Sequence, residues 1–245
     1  MLSSKNEIML SANNESELLK AIREIDVQVP LRSEGRTKEH TERYAIAHLL
    51  SALLKENSIT YPVTLVHRDK PDFLLSMSRT NIGIEHTEAV PQNEAHKSFL
   101  REKGRCPDVY FTPHHKPDES IKKANQLIKE INANEAGAGW VGDSVKRKWA
   151  DAINHFALEK KNKIAKDGFV RYDENWLLIY DGWPLPAMDI EKAAGILLPT
   201  LLNDGAFEAF NRIFVLSNSS KMSGKHFVEF SSAGVTLHEV NNLWN

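Results

Sequence analysis

The stretches Lys70-Pro71-Asp72-Phe73-Leu74-Leu75 and Ile82-Gly83-Ile84-Glu85-His86-Thr87-Glu88-Ala89 decide how this chain is read. Each is an apolar, strand-like run carrying a carboxylate, and twelve residues separate Asp72 from Glu85. Ser78-Arg79-Thr80 between the runs is short enough for an antiparallel hairpin, which puts the two acids on neighbouring strands. Alternation places Gly83, Glu85 and Thr87 on one face of the second strand and Ile82, Ile84 and His86 on the other. The glycine beside the acid is expected to leave room for a ligand. Pro-Asp alone is an ordinary turn dipeptide. A carboxylate within an apolar strand is rarer, because its burial demands a partner or a metal. Two such acids on adjacent strands offer the few hard oxygens a divalent cation needs, with water and a phosphate completing its shell.

Outward from this pair, Glu39 to Glu56 reads as a helix with Ala45, Leu49, Ala52 and Leu53 as its apolar stripe. Tyr61 to Val66 follows as a short strand. Residues 1–36 are polar with one helical stretch, Glu15 to Ile25, and are expected to form a helical appendage on a domain spanning 37–245. The pattern breaks up over 90–142, which reads as an insertion. There Asn93 to Lys103 and Asp118 to Asn132 are helical and Val109 to Thr112 strand-like. The insertion ends in a glycine-rich loop, where Trp140 either packs or stacks on a base. Asp143 or Ser144 caps a helix running to about Lys166. Trp176 to Tyr180 and Arg212 to Ser217 are buried strands around a helix from Asp189 to Leu202. Phe227 to Phe230 and Val235 to Val240 close the chain. Three meandering strands followed by helix–strand units imply an α/β fold, a mixed sheet flanked by helices.

Composition narrows the function classes. With 31 basic and 33 acidic residues the net charge is −2, which excludes a strongly basic coat but not a local patch. Between Gly142 and Gly168 seven lysines and arginines face four acids, an excess consistent with phosphate contact or with a solvated helix face. Cys106 is the only cysteine, which excludes an internal disulfide and a cysteine-rich zinc site. His114-His115, with His96 and Cys106, lacks helical ligand spacing and lies in a loop marked by Pro113 and Pro117. No apolar run spans a bilayer, and Met1 to Ala12 lacks a secretory pattern, so a cytoplasmic protein without membrane contact is expected. There is no Gly-x-Ser-x-Gly elbow, and the glycines at 137–142 lack a following Gly-Lys-Ser/Thr.

Two further residues stand out. Trp149, Ile153, Phe156, Lys160 and Ile164 share one face of the long helix, so Lys160 interrupts an apolar stripe. It either serves chemistry or snorkels from the helix end. Glu42 lies near the apolar side of the first helix, as a functional acid or as a first-turn glutamate favoured by the helix dipole.

The order helix, strand, Pro-Asp, strand, Glu-x-Lys, helix, strand resembles the PD-(D/E)xK nuclease superfamily, which includes restriction endonucleases, over about residues 39–217. The resemblance implies a restriction-endonuclease-like fold and Mg2+ (Mn2+ substituting) held by Asp72, Glu85 and a carbonyl near His86. It implies DNA as the substrate of a metal-dependent endonuclease in phage defence or restriction, acting as a homodimer or as a partner subunit. Thr87 stands where the motif lysine belongs. Some members carry that lysine on the following helix, which points to Lys160, with Lys161 and Lys163 as substitutes. Many use an acid from the first helix as an added ligand, which points to Glu42, with Glu39 or Arg43 in reserve. The missing motif lysine also leaves a second expectation, a catalytically degenerate protein that binds nucleic acid or regulates a partner.

Overall fold

The computed structural model describes residues 6–104, 114–166, 170–217, 226–240 and 243–244. Among the described residues, eight strands form one sheet in chain order: β1 (Glu7–Ala12), β2 (Val63–His67), β3 (Phe73–Met77), β4 (Thr80–Ala89), β5 (Glu174–Asp181), β6 (Arg212–Ser217), β7 (His226–Ser231) and β8 (Gly234–Glu239). β4–β5 and β5–β6 are parallel, and every other neighbouring pair is antiparallel. The helices are α1 (Glu15–Glu24), α2 (Lys38–Lys55), α3 (Gln92–Glu102), α4 (Ala124–Ala133), α5 (Ser144–Lys166) and α6 (Ile190–Asn203). The mixed α/β sheet expected from the element order is present. Among the described residues, no helix is long and apolar enough to cross a membrane.

The sheet has an apolar core on each face. Alternation along β5 sends Trp176 and Leu178 into one core with Leu18, Ile22, Ile46 and Leu49 of α1 and α2. It sends Leu177 and Ile179 into the other, with Trp149, Ile153, Ala194 and Leu197 of α5 and α6. Buried on both faces, β5 reads as a continuous apolar run rather than an alternating one. The same alternation turns Glu85, paired with Leu177, toward α5, and His86, paired with Leu178, toward α2.

The first residues depart from expectation. β1 pairs with β2, and Leu10 and Ala12 join Leu18 and Ile22 in the α2-side core. Residues 7–24 are thus built into the sheet and its core rather than appended. Only Leu10 and Ala12 of β1 are buried, so this edge strand lacks the full apolar alternation that announces a strand. In the insertion, the helix expected from Asp118 starts at Ala124. Asn93 explains the delay: its amide donates to Glu119 Oε1 and the Ser120 carbonyl, and its Oδ1 accepts from Lys122 N, holding 119–122 in an irregular, non-helical path. Val109–Thr112 lies outside the described residues.

One mismatch in strand length makes the site. β3 pairs with β4 only as far as Phe73↔Ile84, whereas β5 pairs with β4 through Ala89↔Asp181. From Glu85 onward the β3-side edge of β4 is therefore open. Asp72, immediately before β3, sits at that opening.

Candidate active site

Asp72 closes the end of β3 against the freed edge of β4. Its Oδ2 accepts a hydrogen bond from His86 N at 2.6 Å, the donor that β3 no longer satisfies. In an extended strand a residue's N–H and C=O point to the same edge, so the His86 carbonyl faces the same opening. Lys160 arrives from α5. Its Nζ lies 2.8 Å from Glu85 Oε2 and 3.5 Å from Asp72 Oδ2. The lysine that interrupts the apolar stripe of α5 thus touches both acids, and its side chain is only 12% exposed.

α2 supplies a second cation. Thr37 N donates to His40 Nδ1 at 3.0 Å, which fixes the start of the helix. Lys38 and Glu42, one turn apart, then share a face. Lys38 Nζ lies 2.6 Å from Glu42 Oε1 and 2.6 Å from Asp72 Oδ1. Glu42 Oε2 is 3.0 Å from His67 Nε2. The result is an alternating chain of charge, Glu42–Lys38–Asp72–Lys160–Glu85.

Electrostatics follow from this geometry. Burial alone would raise the Glu42 carboxyl, but His67 and the Lys38 ammonium outweigh it and hold the group at about 2. Burial also works against the charge on Lys38, yet Asp72 and Glu42 carry its ammonium above the ordinary lysine range. Burial pushes Glu85 up, opposed by Lys160 and aided by the charge of Asp72. His86 is fully enclosed, and burial lowers its ring to about 4 against the pull of Asp72 and Glu42, so it is neutral near pH 7. Neither ring nitrogen of His86 has a hydrogen-bond partner.

A cavity of about 450 Å³ opens onto Asp72, Glu85, His86, Thr87 and Lys160. Its wall also carries Arg32, Arg36, Lys38, Lys70 and Lys163. Arg32 Nη2 and Arg36 Nη2 both donate to Glu88 Oε1, at 2.8 and 2.7 Å. One carboxylate thus faces two guanidiniums, leaving that wall with spare N–H donors and net positive charge.

The expected residues distribute as follows. Asp72, Glu85, Lys160 and His86 converge on the cavity, and Glu42 stands one residue behind it, reached through Lys38. Thr87 lines the cavity, and the ammonium that meets both acids there is that of Lys160. Lys163 lines the wall. Lys161 points elsewhere, bonding the Asp204 and Gly205 carbonyls beyond α6 and Glu208 Oε2. Glu39 and Arg43 line a separate hollow beside β1. Gly83 does not leave room for a ligand: a Cβ there would meet Tyr172 Cδ2 at 2.8 Å and Pro71 Cγ at 3.2 Å. Its missing side chain is filled by the protein's own packing.

Sequence reasoning missed Lys38, His67, Arg32, Arg36 and Glu88. Lys38 was within reach, since it lies four residues before Glu42 on the same helix face. Arg32 and Arg36 meet an acid more than fifty positions away, so no local pattern marks them.

Among the described residues no group of three or more His, Cys, Asp or Glu side chains is arranged to hold a metal ion. The reason is visible: an ammonium stands between each successive pair of acids. The donor chemistry itself fits a hard divalent cation, because Asp72, Glu85 and the His86 carbonyl offer oxygen at one opening. The place between Asp72 Oδ2 and Glu85 Oε2 is occupied by the Lys160 ammonium. No family model, curated protein or solved structure matches this chain.

Proposed function

We propose that the protein is a magnesium-dependent deoxyribonuclease with a restriction-endonuclease-like core. The observation that carries the reading is the meeting of Lys160 with both Asp72 and Glu85, although the lysine is contributed by a helix far from the motif in sequence. The order α2, the β2–β3–β4 meander, α5 and the parallel strand β5 supports the same core. Asp72, Glu85 and the His86 carbonyl would hold the cation. Bound there, Mg2+ (or Mn2+) supplies Lewis acidity toward a phosphoryl oxygen.

The chain's own groups do the rest. Lys160 places positive charge beside the two acids, where it orients the attacking water or stabilises charge developing on phosphorus. Glu42 sets the position of Lys38. Arg32, Arg36, Lys70 and Lys163 meet flanking phosphates without reading sequence. Neutral His86 fills the α2 side of β4 and keeps a third positive charge out of the acid cluster.

A second reading is favoured by one observation, the ion pairing of every acid in the cluster together with Thr87 in the lysine position. On that reading the fold binds nucleic acid or a partner enzyme without cutting. Plasmid DNA incubated with the purified protein and Mg2+ or Mn2+ separates the two. Cutting by wild type, lost in folded Asp72→Ala and Glu85→Ala, is expected. Cutting that survives both substitutions would sink the site, and duplex binding without any cutting would favour the second reading.

A further inference from the structure

Arg32 and Arg36 make a second charged centre in the cavity wall, and its balance differs from that of the acid cluster. In the cluster Lys38 and Lys160 each stand between two carboxylates. Here two guanidiniums converge on one oxygen: Glu88 Oε1 lies 2.8 Å from Arg32 Nη2 and 2.7 Å from Arg36 Nη2. One positive charge is left over. Donors are left over as well, since a guanidinium carries five N–H groups and Glu88 meets one nitrogen of each. Arg36 Nε is buried without a hydrogen-bond partner. The local chain holds the two heads together. Arg32 opens a 3₁₀ turn, Arg32–Glu34, and Gly35 follows at φ 87°, a left-handed conformation that other residues disfavour. The chain then enters α2 with Arg36 on the same carboxylate as Arg32. Ser33 N donates to Glu102 Oε2 at 2.7 Å, which ties the turn to the last residue of α3. Both arginine side chains are largely buried, so their heads are held in the wall rather than spread through solvent.

A planar guanidinium fork matches phosphate oxygens as it matches a carboxylate, so a pair of heads that already shares one oxygen anion is shaped for a second. Glu88 lies three residues beyond Glu85 on β4, about 10 Å at 3.3 Å per residue. The arginines therefore stand too far along the strand to hold a phosphate that meets Asp72 and Glu85, and suit its neighbour. We propose that Arg32 and Arg36 together form one oxyanion site, which takes a single phosphate group of a nucleic-acid strand through the N–H donors that Glu88 leaves free. A backbone diester and a terminal monoester both present that group. The inference rests on the nucleic-acid reading of the cavity and deepens it: the two arginines act as one discrete site rather than as separate members of a diffuse basic wall. Neither a metal nor a covalent step is involved.

The full-length protein tests this with short fluorescein-labelled DNA duplexes as the probe, their affinity followed by anisotropy in EDTA so that nothing is cut. Arg32→Gln and Arg36→Gln are each expected to weaken binding roughly tenfold. Arg36→Lys keeps the charge but loses the fork, and is expected to recover little of that loss. The double Arg32→Gln/Arg36→Gln variant should lose well under the product of the two single losses, because both heads hold one group. Thermal midpoints check that each variant is folded, and Arg36→Lys together with Arg32→Lys carries the test if the glutamine variants are not. Duplexes ending in hydroxyls, 5′-phosphates or 3′-phosphates identify the group. Equal affinity assigns the site to a backbone diester, and tighter binding of one phosphorylated end assigns it to that monoester. Wild-type affinity in the lysine variants, or single losses that multiply in full, overturns the shared site and leaves the nucleic-acid reading standing. Absence of wild-type binding in EDTA overturns the metal-free site, and absence with Mg2+ as well overturns the nucleic-acid reading with it.

Discussion

Glu85 on β4 and Asp181 on β5 are both buried acids on adjoining parallel strands, 6% and 3% exposed, yet their partners differ in kind. Asp181 is served by neutral donors: Trp149 Nε1 at 2.8 Å and Ser217 Oγ at 3.1 Å on one oxygen, Trp183 N at 3.1 Å on the other. Burial pushes its carboxyl up, and these three donors oppose the shift. Glu85 is instead paired with an ammonium and faces a cavity of about 450 Å³. Asp181 is not among the residues lining that space. Burial of an acid therefore does not by itself mark chemistry. What distinguishes Glu85 is charge held next to open volume, where another cation or a phosphate can enter.

The widest separation between the two acids is expected in cleavage. On the function proposed above, Glu85→Gln keeps the shape but removes the anionic oxygen, and should lower metal-dependent DNA cutting by roughly 10²–10³-fold or more. Asp181→Asn should leave the rate per folded molecule nearly unchanged. Initial rates on supercoiled plasmid, normalised to the folded fraction, measure both. Equal losses in the two variants would break the contrast.

The same contrast recurs between two histidines and can be read through pH. His86 lies beside the cavity without a ring partner, and burial depresses it to about 4. A histidine depressed on folding binds its proton more readily in the unfolded chain. Its contribution is thus fully present above the unfolded value near 6.5 and is lost as pH falls toward 4. The loss amounts to roughly 3 kcal/mol at 1.36 kcal/mol per pH unit. Urea unfolding between pH 7 and 4 should show that decline in wild type and not in His86→Leu. A parallel decline in the variant would mean that other groups dominate the window.

Much of this contrast was legible in the sequence, and the reasons for what was not are specific. Glu85 and Lys160 each break an apolar pattern, and a polar residue in an apolar stripe is visible without coordinates; Asp72 was legible only as the Pro-Asp turn just before a strand-like run. The hairpin of β3 and β4, the buried strands β5 and β6 and the mixed character of the sheet followed from run lengths and their order. Lys38 does not interrupt any stripe; it precedes one, and only the end of β3 brings Asp72 to it. Gly83 misled because a missing side chain looks the same whether a ligand or Tyr172 fills the space. β1 was missed because an edge strand buries too few residues to show its period. Asp181 ended an apolar run and drew no attention, since its donors Trp149 and Ser217 lie 32 and 36 residues away.

Stability should separate the acids again, by a smaller margin and in the opposite sense to cleavage. Both oxygens of Asp181 only accept, so the amide of Asp181→Asn must point an N–H₂ at a donor. Leaving a buried donor unpaired costs about 1–3 kcal/mol, which urea midpoints at pH 7 will register.

The smallest effect is expected at His238, where the arrangement of His86 is inverted. His238 Nε2 meets Glu229 Oε2 at 2.7 Å and Nδ1 meets Glu56 Oε1 at 2.6 Å. The Glu229 contact raises its pKa most, burial opposes, and Glu56 adds to the rise. A histidine raised on folding stabilises fully below the unfolded value near 6.5, and that stability is lost as pH climbs through the folded value. Glu56 is 36% exposed, so solvent screens part of the pair and the gain is modest. His238→Gln should therefore lower stability slightly at pH 6 and converge with wild type by pH 9. At pH 6 the wild-type protein thus loses stability through His86 and keeps it through His238, and a His86→Leu/His238→Gln double variant should show a flatter stability profile from pH 4 to 9 than wild type. A profile as steep as wild type would show that partners and burial at these two rings do not set the pH response.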